Sequence, residues 1–285
     1  MIGFIDIGGG MRGIYTSGIY DGLIDRGISP EYCIGVSSGS GNLITYVSGQ
    51  KGRTFRFYHD YAFEKEYMGV GNVLKKGSFI NLDYIYSGIT NSTGKDPLDF
   101  EAFMKSDCRF TAVSTVAQTG KPHYFTKDDF KKDDYSALKA ACALPVACRP
   151  VKINGVKYYD GGVSDTVPYK KAFADGCDKV ILCITKPVGF TKSKLPAVAV
   201  RSLLCKYPES AKQILTMHER YNDGIKALVE LEKQGKALVV APKECFGIET
   251  LKKNKDGMKK LYQLGCEDAA RIENFINNAK RESAR

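Results

Sequence analysis

Two short stretches decide the fold: residues 2–13, IGFIDIGGGMRG, and residues 32–39, YCIGVSSG. Each begins with an apolar run of strand length and ends in glycine or serine, which predicts a buried strand followed by a tight loop. Between them, apolar residues recur at helical spacing over residues 15–23, and a second apolar helix is predicted from residues 43–47. This β-α-β-α order predicts an α/β protein with a mostly parallel sheet and helices on both faces.

The second stretch contains a G-x-S-x-G sequence, Gly35-Val36-Ser37-Ser38-Gly39, between a predicted strand and a predicted helix. In that context the pattern is typical of a nucleophile elbow. A serine that attacks an ester must project from a sharp turn, and Gly35 and Gly39 permit both the turn and the approach of a substrate. The helix that follows directs the positive end of its dipole toward the reacting carbonyl. Ser37 is therefore the candidate nucleophile.

The first stretch ends in a glycine-rich segment with one basic residue: Gly8, Gly9, Gly10, Met11, Arg12 and Gly13. Successive glycines let backbone N–H groups line a concavity that binds an anion or a developing oxyanion, and Arg12 adds positive charge. The same residues also satisfy G-x-G-x-x-G, the loop of nucleotide-binding oxidoreductases. That alternative expects an acidic residue at the end of the second strand, where this chain has Ser37; Asp25 and Glu31 lie at loosely suitable distances.

A third candidate is Asp160-Gly161-Gly162, which follows a predicted hairpin over residues 152–159. An aspartate at the end of a strand is well placed to accept a proton in a cleft. Asp160 is therefore the candidate general base.

A Ser–His–Asp esterase is the nearest alternative, because the order Ser37, Asp160, His218 matches that of α/β-hydrolase triads. That fold places its elbow after several strands, however, and here the elbow follows the second. His218 also shares a predicted helical face with apolar residues. The other two histidines, His59 and His123, lie in contexts typical of packing and of a turn.

Taken in order, GGGMRG (residues 8–13), GVSSG (35–39) and DGG (160–162) resemble the motifs of the patatin-like phospholipase family, and residues 140–145, AACALP, are similar too. The resemblance covers about residues 1 to 190. It implies a three-layer α/β/α fold and hydrolysis of carboxylic esters of lipids by a Ser37–Asp160 dyad through an acyl-enzyme intermediate. It also implies an oxyanion hole at the glycine-rich loop, no metal and no cofactor.

Two positions depart from the family pattern. The family often has Thr-Ser-Ala at the elbow, where this chain has Val36-Ser37-Ser38. An asparagine is common a few residues after the DGG sequence, where this chain has residues 163–168, VSDTVP. Both departures leave the chemistry of Ser37 and Asp160 in place. The acyl chain length, head group and positional preference are not fixed by the sequence.

Periodicity along the chain predicts an α/β core over residues 1–199 and a helix-rich region over residues 200–285, packed on the core. Residues 68–98 are predicted to form a long loop or lid with short elements. Further elements are predicted in the core and beyond it: strands at 110–116, 179–185 and 237–241, a short helix at 136–144, and amphipathic helices at 214–228 and 258–279.

The chain of 285 residues carries a formal net charge of +10 and nine cysteines. The cysteine spacings fit neither a disulfide framework nor a zinc site and favour a reducing compartment. The N-terminal residues lack a signal-peptide pattern, and no window of about 18 uncharged apolar residues occurs. We therefore expect a cytoplasmic protein that takes a lipid or ester substrate and binds no nucleic acid. The charge has three explanations: nucleic acid, peripheral contact with an anionic membrane surface, or an ordinary basic surface. The sequence has no zinc-finger or RRM-type pattern, which disfavours the first.

Overall fold

A computed structural model describes residues 1–283. In that range eight strands form one sheet: β1 Ile2–Asp6, β2 Tyr32–Val36, β3 Arg109–Val116, β4 Pro122–Thr126, β5 Val151–Ile153, β6 Val156–Asp160, β7 Lys179–Cys183 and β8 Ala237–Val240. Neighbouring strands follow the order β5-β6-β3-β2-β1-β7-β8, and β4 also pairs with β3. The pairs among β3, β2, β1, β7 and β8 are parallel, whereas β4, β5 and β6 pair antiparallel. The sheet is mostly parallel, as the sequence predicted.

Ten α-helices accompany the sheet in the described residues: α1 Ile14–Asp25, α2 Ser38–Val47, α3 Arg53–His59, α4 Val70–Lys76, α5 Phe100–Lys105, α6 Ser136–Ala141, α7 Tyr169–Ala174, α8 Arg201–Lys206, α9 Pro208–Lys233 and α10 Lys255–Ser283. A π-helical turn covers Tyr84–Ile89. No helix within the described range is both long enough and apolar enough to cross a bilayer.

Helices lie on both faces of the sheet because its central strands are apolar on both faces. In β1, Phe4 belongs to the apolar cluster beneath α1 and α10, and Ile5 belongs to the cluster beneath α7 and α9. In β7, Ile181 belongs to the first of these clusters and Leu182 to the second. Successive strand side chains point to opposite faces, so such strands need a layer of helices on each side. The predicted three-layer α/β/α fold is confirmed.

The C-terminal part of the chain contributes to the sheet as well as to the helical layers. The predicted last strand is β8, which lies parallel to β7. The two predicted amphipathic helices are α9, which packs on β8, and α10, which packs along α1. The division of the chain after residue 199 remains a prediction. All nine cysteines lie in the described range, and none forms a disulfide.

Several elements had no clear pattern in the sequence. β4 reads PHYFT and buries only Phe125, so it lacks the alternation that marks a strand. The predicted lid, residues 68–98, holds α4 and the π-helical turn between stretches without regular structure. The short helices α3, α5 and α7 have six or seven residues each, too few for a helical period to repeat convincingly.

The register of β3 brings the ends of two distant strands together. β2 pairs with β3 as far as Val36 opposite Val113, and β6 pairs with β3 from Asp160 opposite Ser114. β4 pairs with residues 111–115 of β3, a range that overlaps the segment paired with β2 and the segment paired with β6. β4 therefore lies along one side of β3, and β2 and β6 lie one after the other along the other side. The residue that follows Val36 therefore lies next to Asp160.

Candidate active site

Ser37 occupies the sharp turn between β2 and α2. Its backbone has φ 57° and ψ −138°, a conformation that non-glycine residues rarely adopt and that is concentrated at functional sites. The turn is crowded, because a Cβ at Gly35 would lie 2.5 Å from Ser40 Cα and a Cβ at Gly39 would lie 2.3 Å from the Asp6 carbonyl oxygen. Only glycine fits at both positions, so the G-x-S-x-G sequence follows from the geometry of the turn.

Asp160 ends β6 and is 2% exposed. Its Oδ1 accepts a hydrogen bond from the Gly162 amide over 2.8 Å, and Gly161 packs against β3. Its Oδ2 is buried and meets no well-aligned donor in the described residues, although the Ser37 hydroxyl lies near enough to favour the charged carboxylate. Burial raises the pKa of Asp160 to about 6, and Ser37, Gly162 and the charge of Lys192 oppose that rise.

Two hydrogen bonds fix the start of the glycine-rich loop. The Gly8 amide donates to Asp6 Oδ1 over 2.8 Å, and the Gly9 amide donates to Ser38 Oγ over 3.1 Å. Asp6 is fully buried at the end of β1, and this burial raises its pKa to about 6. The loop is thus attached both to its own strand and to the residue that follows the nucleophile.

The rest of the loop is held by the C-terminal part of the chain. The Met11 amide donates to the carbonyl oxygen of Thr250 over 3.0 Å, and Arg12 Nη1 donates to Thr250 Oγ1 over 3.2 Å. The Gly13 carbonyl accepts a hydrogen bond from α2. Of the loop amides from Gly8 to Met11, the Gly10 amide alone has no partner among the described residues.

Cys142, at the end of α6, contacts the backbone of the nucleophile. Its thiol donates to the Ser37 carbonyl oxygen over 3.1 Å, and the Tyr86 hydroxyl lies 3.1 Å from the same sulfur. Burial raises the pKa of Cys142 well above its usual range, so the thiol stays protonated and keeps its donor. Cys142 therefore supports the turn that carries Ser37.

Ser37 and Asp160 line a cavity of about 230 Å³. The rest of its wall is mostly apolar and aromatic: Phe57, Tyr58, Tyr67, Met68, Ile80, Leu82, Ile85, Tyr86, Leu138 and Leu144. Such a wall suits an apolar chain that extends from a polar group held at Ser37.

The three histidines lie elsewhere in the fold. His59 stacks on Phe55 with ring centroids 4.8 Å apart, and His123 packs against Phe125 at 4.4 Å. His218 Nε2 lies 3.8 Å from its neighbour Glu219. None of the three is among the residues that line the Ser37 cavity in the described chain. This geometry does not favour the Ser–His–Asp alternative.

The geometry also disfavours a dinucleotide site. Glu31 Oε2 accepts a hydrogen bond from the Ile2 amide, which begins β1, whereas the glycine-rich loop follows the opposite end of that strand. Asp25 ends α1 and forms an ion pair with Lys51 over 2.5 Å. Neither acid can therefore reach a ribose whose phosphates sit at the loop.

The glycine-rich loop, the elbow and Asp160 all fall within the range that one family model matches. The model of the Patatin-like phospholipase family matches residues 8–173, more than half of the chain. The chain belongs to the patatin-like phospholipase family. A second model, of a domain of unknown function (DUF6363), matches residues 207–279.

Two individual proteins are similar to this chain. The Escherichia coli (strain K12) protein named "Uncharacterized protein YjjU" is 26% identical over 185 residues, which cover 63% of this chain and 50% of YjjU. The chain thus spans about half the length of this relative. The crystal structure of VipD from Legionella pneumophila aligns with 95% of this chain and 66% of that chain, with a TM-score of 0.48 and 13% identity.

Four residues near the site were not predicted from the sequence: Asp6, Cys142, Lys192 and Thr250. Asp6 alone had a local indication, since it precedes the glycine run at the end of a strand. The structure also explains the departure at the elbow. Ser38 stands where the patatin-like family often has alanine, and its hydroxyl adds a hydrogen bond between the elbow and Gly9.

Proposed function

We propose that this protein is a serine lipid acyl hydrolase that cleaves carboxylic esters of lipids with a Ser37–Asp160 dyad. The observation that carries the proposal is a serine in a strained turn close to a buried carboxylate oxygen, Asp160 Oδ2, that has no hydrogen-bond donor of good geometry among the described residues. Both groups lie at an apolar cavity. Membership of the patatin-like phospholipase family supports the same reaction class.

In the proposed reaction, Asp160 accepts the proton of the Ser37 hydroxyl while Ser37 Oγ attacks the ester carbonyl carbon. The ester C–O bond then breaks, and the alcohol leaves with the proton that Asp160 returns. A water molecule hydrolyses the acyl-enzyme in the same way, with Asp160 again as the base. A carboxylate with a pKa raised to about 6 is a better base than an exposed aspartate and is still charged near neutral pH.

The oxyanion that forms during attack requires hydrogen-bond donors, and we assign Gly10 to this role. The amides of Gly8, Gly9 and Met11 already have partners within the protein, which leaves Gly10 as the available amide of the loop. Ser38 begins α2, and its amide, at the positive end of the helix, is the natural second donor. Arg12 then supports the loop and adds positive charge.

We further propose peripheral contact with an anionic lipid surface. α4 connects Met68 and Ile80, which line the cavity and form a bridge with each other. On α4, Val70 is 70% exposed and Leu74 is 85% exposed, and the exposed Lys75 and Lys76 follow. Exposed apolar side chains followed by lysines, on a helix joined at both ends to the cavity wall, fit a surface with apolar chains beneath anionic head groups.

A hydrolysis panel tests the proposed function. Purified protein is assayed with p-nitrophenyl esters of increasing chain length and with phospholipids, beside Ser37→Ala and the matched variant Ser40→Ala. Ser40 lies in the first turn of α2, just after Ser37, and its buried hydroxyl has no partner among the described residues. We expect hydrolysis by the wild type and by Ser40→Ala, and none by Ser37→Ala. Ester hydrolysis that persists in Ser37→Ala would contradict the assignment.

A further inference from the structure

The C-terminal region that matches the domain of unknown function, residues 207–279, reaches the wall of the Ser37 cavity. Met217 on α9 and the residues Thr250 and Leu251, which precede α10, line that cavity. The proposed reaction assigns no step to a side chain of this region. Its place at the site therefore needs a different role, and its hydrogen bonds to three other segments of the cavity wall indicate that role.

Thr250 makes the first of these contacts, with the glycine-rich loop. Its carbonyl oxygen accepts from the Met11 amide over 3.0 Å, and its hydroxyl accepts from Arg12 Nη1 over 3.2 Å. Arg12 is 8% exposed, and the Thr250 hydroxyl is its only hydrogen-bond partner among the described residues. Because a buried guanidinium that loses its partner is left unsatisfied, this bond matters to the loop. Thr250 thus fixes the two residues that follow Gly10.

Arg220 on α9 makes the second contact, at the turn that follows Asp160. Its Nη2 donates to the Val163 carbonyl oxygen over 2.6 Å. One turn further along the helix, Gly224 lies against Val167, since an added Cβ would be 2.8 Å from Val167 Cβ. α9 therefore packs closely on the segment that directly follows the DGG sequence.

Asn222, also on α9, makes the third contact. Its side chain binds both backbone groups of Lys192: Oδ1 accepts from the amide over 2.8 Å, and Nδ2 donates to the carbonyl oxygen over 3.0 Å. Lys192 lines the cavity and belongs to the irregular loop after β7. The Asn222 amide supplies the partners that a neighbouring strand would otherwise provide, so this loop is held without regular structure.

These three wall segments share one property: none of them is a strand or an α-helix, so their own hydrogen bonds do not fix their shape. A displacement of about 1 Å at a catalytic group can lower the rate roughly 10²-fold. The segments that carry the oxyanion donor and the base therefore need support from outside, and one region of the chain provides it.

We infer that residues 207–279 are part of the catalytic unit, with Thr250 and Arg220 as positioning residues. Thr250 holds the loop that carries Gly10, and Arg220 holds the turn that follows Asp160. Neither side chain takes part in bond making or breaking. The inference rests on the proposed hydrolase function and gives the domain of unknown function a physical role in it.

Thr250→Val tests the first contact, because it keeps the shape of the side chain and removes the hydroxyl that binds Arg12. With p-nitrophenyl butyrate as substrate, kcat should fall about tenfold with little change in KM, since one hydrogen bond to a charged group is lost. Thr250→Ser keeps the hydroxyl and should restore kcat. Tyr262→Phe is the matched control: it removes a hydrogen bond of the same region to Asp21 on α1, outside the cavity, and should leave kcat unchanged.

Arg220→Gln tests the second contact and should lower kcat in the same way. Arg220→Lys should recover part of the loss, because an ammonium group can still donate to a carbonyl oxygen. The matched control is Arg271→Gln. Arg271 Nη2 donates to the Val239 carbonyl oxygen on β8 over 3.2 Å, and Arg271 does not line the cavity in the described chain. If Arg220→Gln does not fold, Arg220→Lys is compared with Arg271→Lys, and a smaller fall in kcat is expected.

Hydrogen–deuterium exchange follows the same contacts without any hydrolysis. Thr250→Val should speed exchange in a peptide that contains residues 8–13, and Arg220→Gln should speed it in a peptide that contains residues 161–168. Both control variants should leave these two peptides at the wild-type rate. A local opening changes exchange only in the segment that loses its support, whereas a general loss of stability changes it throughout the fold.

Two results would overturn the inference. The first is wild-type kcat and wild-type exchange in both Thr250→Val and Arg220→Gln. The second is an equal fall in kcat in the control variants, which would mean that the region acts only through overall stability. A wild-type protein that hydrolyses no ester would instead remove the proposed function, and the catalytic role of the region with it. The exchange rates would still decide whether Thr250 and Arg220 hold their two segments.

Discussion

The carbonyl oxygen of Thr250 accepts a hydrogen bond from the Met11 amide over 3.0 Å. The Thr250 hydroxyl also accepts from Arg12, a residue 238 positions earlier in the chain. Thr250 lies within residues 207–279, which match the domain of unknown function. One physical role of that C-terminal region is therefore to hold the glycine-rich loop in the shape that leaves the Gly10 amide unpaired.

Gly10→Ala should disrupt this arrangement. Gly10 has φ 61°, and an added Cβ would lie 2.2 Å from the Thr250 carbonyl oxygen, so the loop must shift. Loss of one oxyanion donor typically lowers turnover by about 10²–10³-fold, and we expect kcat to fall in that range. The matched control is Gly27→Ala, at φ 65° with no atom within 4 Å of the added Cβ. A folded Gly10→Ala protein with wild-type kcat would place the oxyanion hole elsewhere.

Asp160→Asn should lower hydrolysis strongly while preserving the fold, because an amide cannot accept the serine proton. General-base groups contribute about 10²–10⁴-fold to rate, and a loss of that size is expected. Asp165→Asn is the matched control, since Asp165 is also shielded and accepts from Tyr124 but does not line the cavity. The change in kcat is measured after circular dichroism confirms folding.

The same assay distinguishes the dyad from a triad. His218→Ala, His59→Ala and His123→Ala should each keep most of the activity, because none of these rings lines the cavity in the described chain. A folded His218→Ala protein as inactive as Ser37→Ala would replace the dyad with a Ser–His–Asp triad.

The pH dependence of the rate follows from the raised pKa of Asp160. The carboxylate must be deprotonated to act as a base, so kcat/KM should rise with pH through an apparent pKa of about 6 and then level off. Asp165→Asn should show the same profile. A flat profile between pH 5 and about 8, measured with a substrate that does not titrate there, would exclude Asp160 as the base.

Stability should change with pH in the opposite sense. Burial raises the pKa of Asp160 from 3.8 in the unfolded chain to about 6. The folded protein therefore binds this proton more tightly than the unfolded chain does. The resulting stabilisation is full below pH 3.8 and is lost as the pH rises through about 6. At pH 8 the buried charge costs about 2–3 kcal/mol. Asp160→Asn should therefore unfold less readily than the wild type at pH 8. Denaturant titrations at pH 4 and pH 8 should show this difference only at the higher pH.

Local sequence patterns were sufficient for the central fold and for naming Ser37 and Asp160 as candidates. The strand–turn–helix around Ser37 and the hairpin before Asp160 are each encoded within about ten neighbouring residues, where apolar periodicity and glycines are informative. Their encounter depends on the register of β3, which pairs with β2 and β6 along one side. The family resemblance, rather than any local pattern, implied that encounter.

Long-range contacts explain what the sequence did not reveal. Thr250 reaches the glycine-rich loop from a segment without regular structure, and Lys192 reaches the site from an irregular loop after β7. Neither residue has a local pattern that distinguishes it from other surface residues. Cys142 resembled a small apolar residue in sequence, yet its thiol supports the backbone of Ser37.

Vesicle binding should depend on α4. The protein should bind anionic vesicles better than neutral ones, and the difference should shrink as salt rises, because charge attraction is screened over about 10 Å at 0.1 M. Leu74→Asp should weaken binding without unfolding the protein, since Leu74 is 85% exposed. Met104→Asp is the control. Met104 is 40% exposed, in a groove with Tyr32 and Arg109. These two residues begin β2 and β3, whereas Ser37 follows the other end of β2. Equal binding of Leu74→Asp and wild type would exclude α4 from the contact.

The most direct test of the account is covalent labelling of the nucleophile. A fluorophosphonate reacts with a serine whose proton is removed by a neighbouring base and whose oxyanion is stabilised. Wild-type protein should be labelled, with the adduct mapped by peptide mass spectrometry to Ser37, and labelling should disappear in Ser37→Ala and fall strongly in Asp160→Asn. An adduct on any other residue, or labelling that persists in Ser37→Ala, would contradict the account.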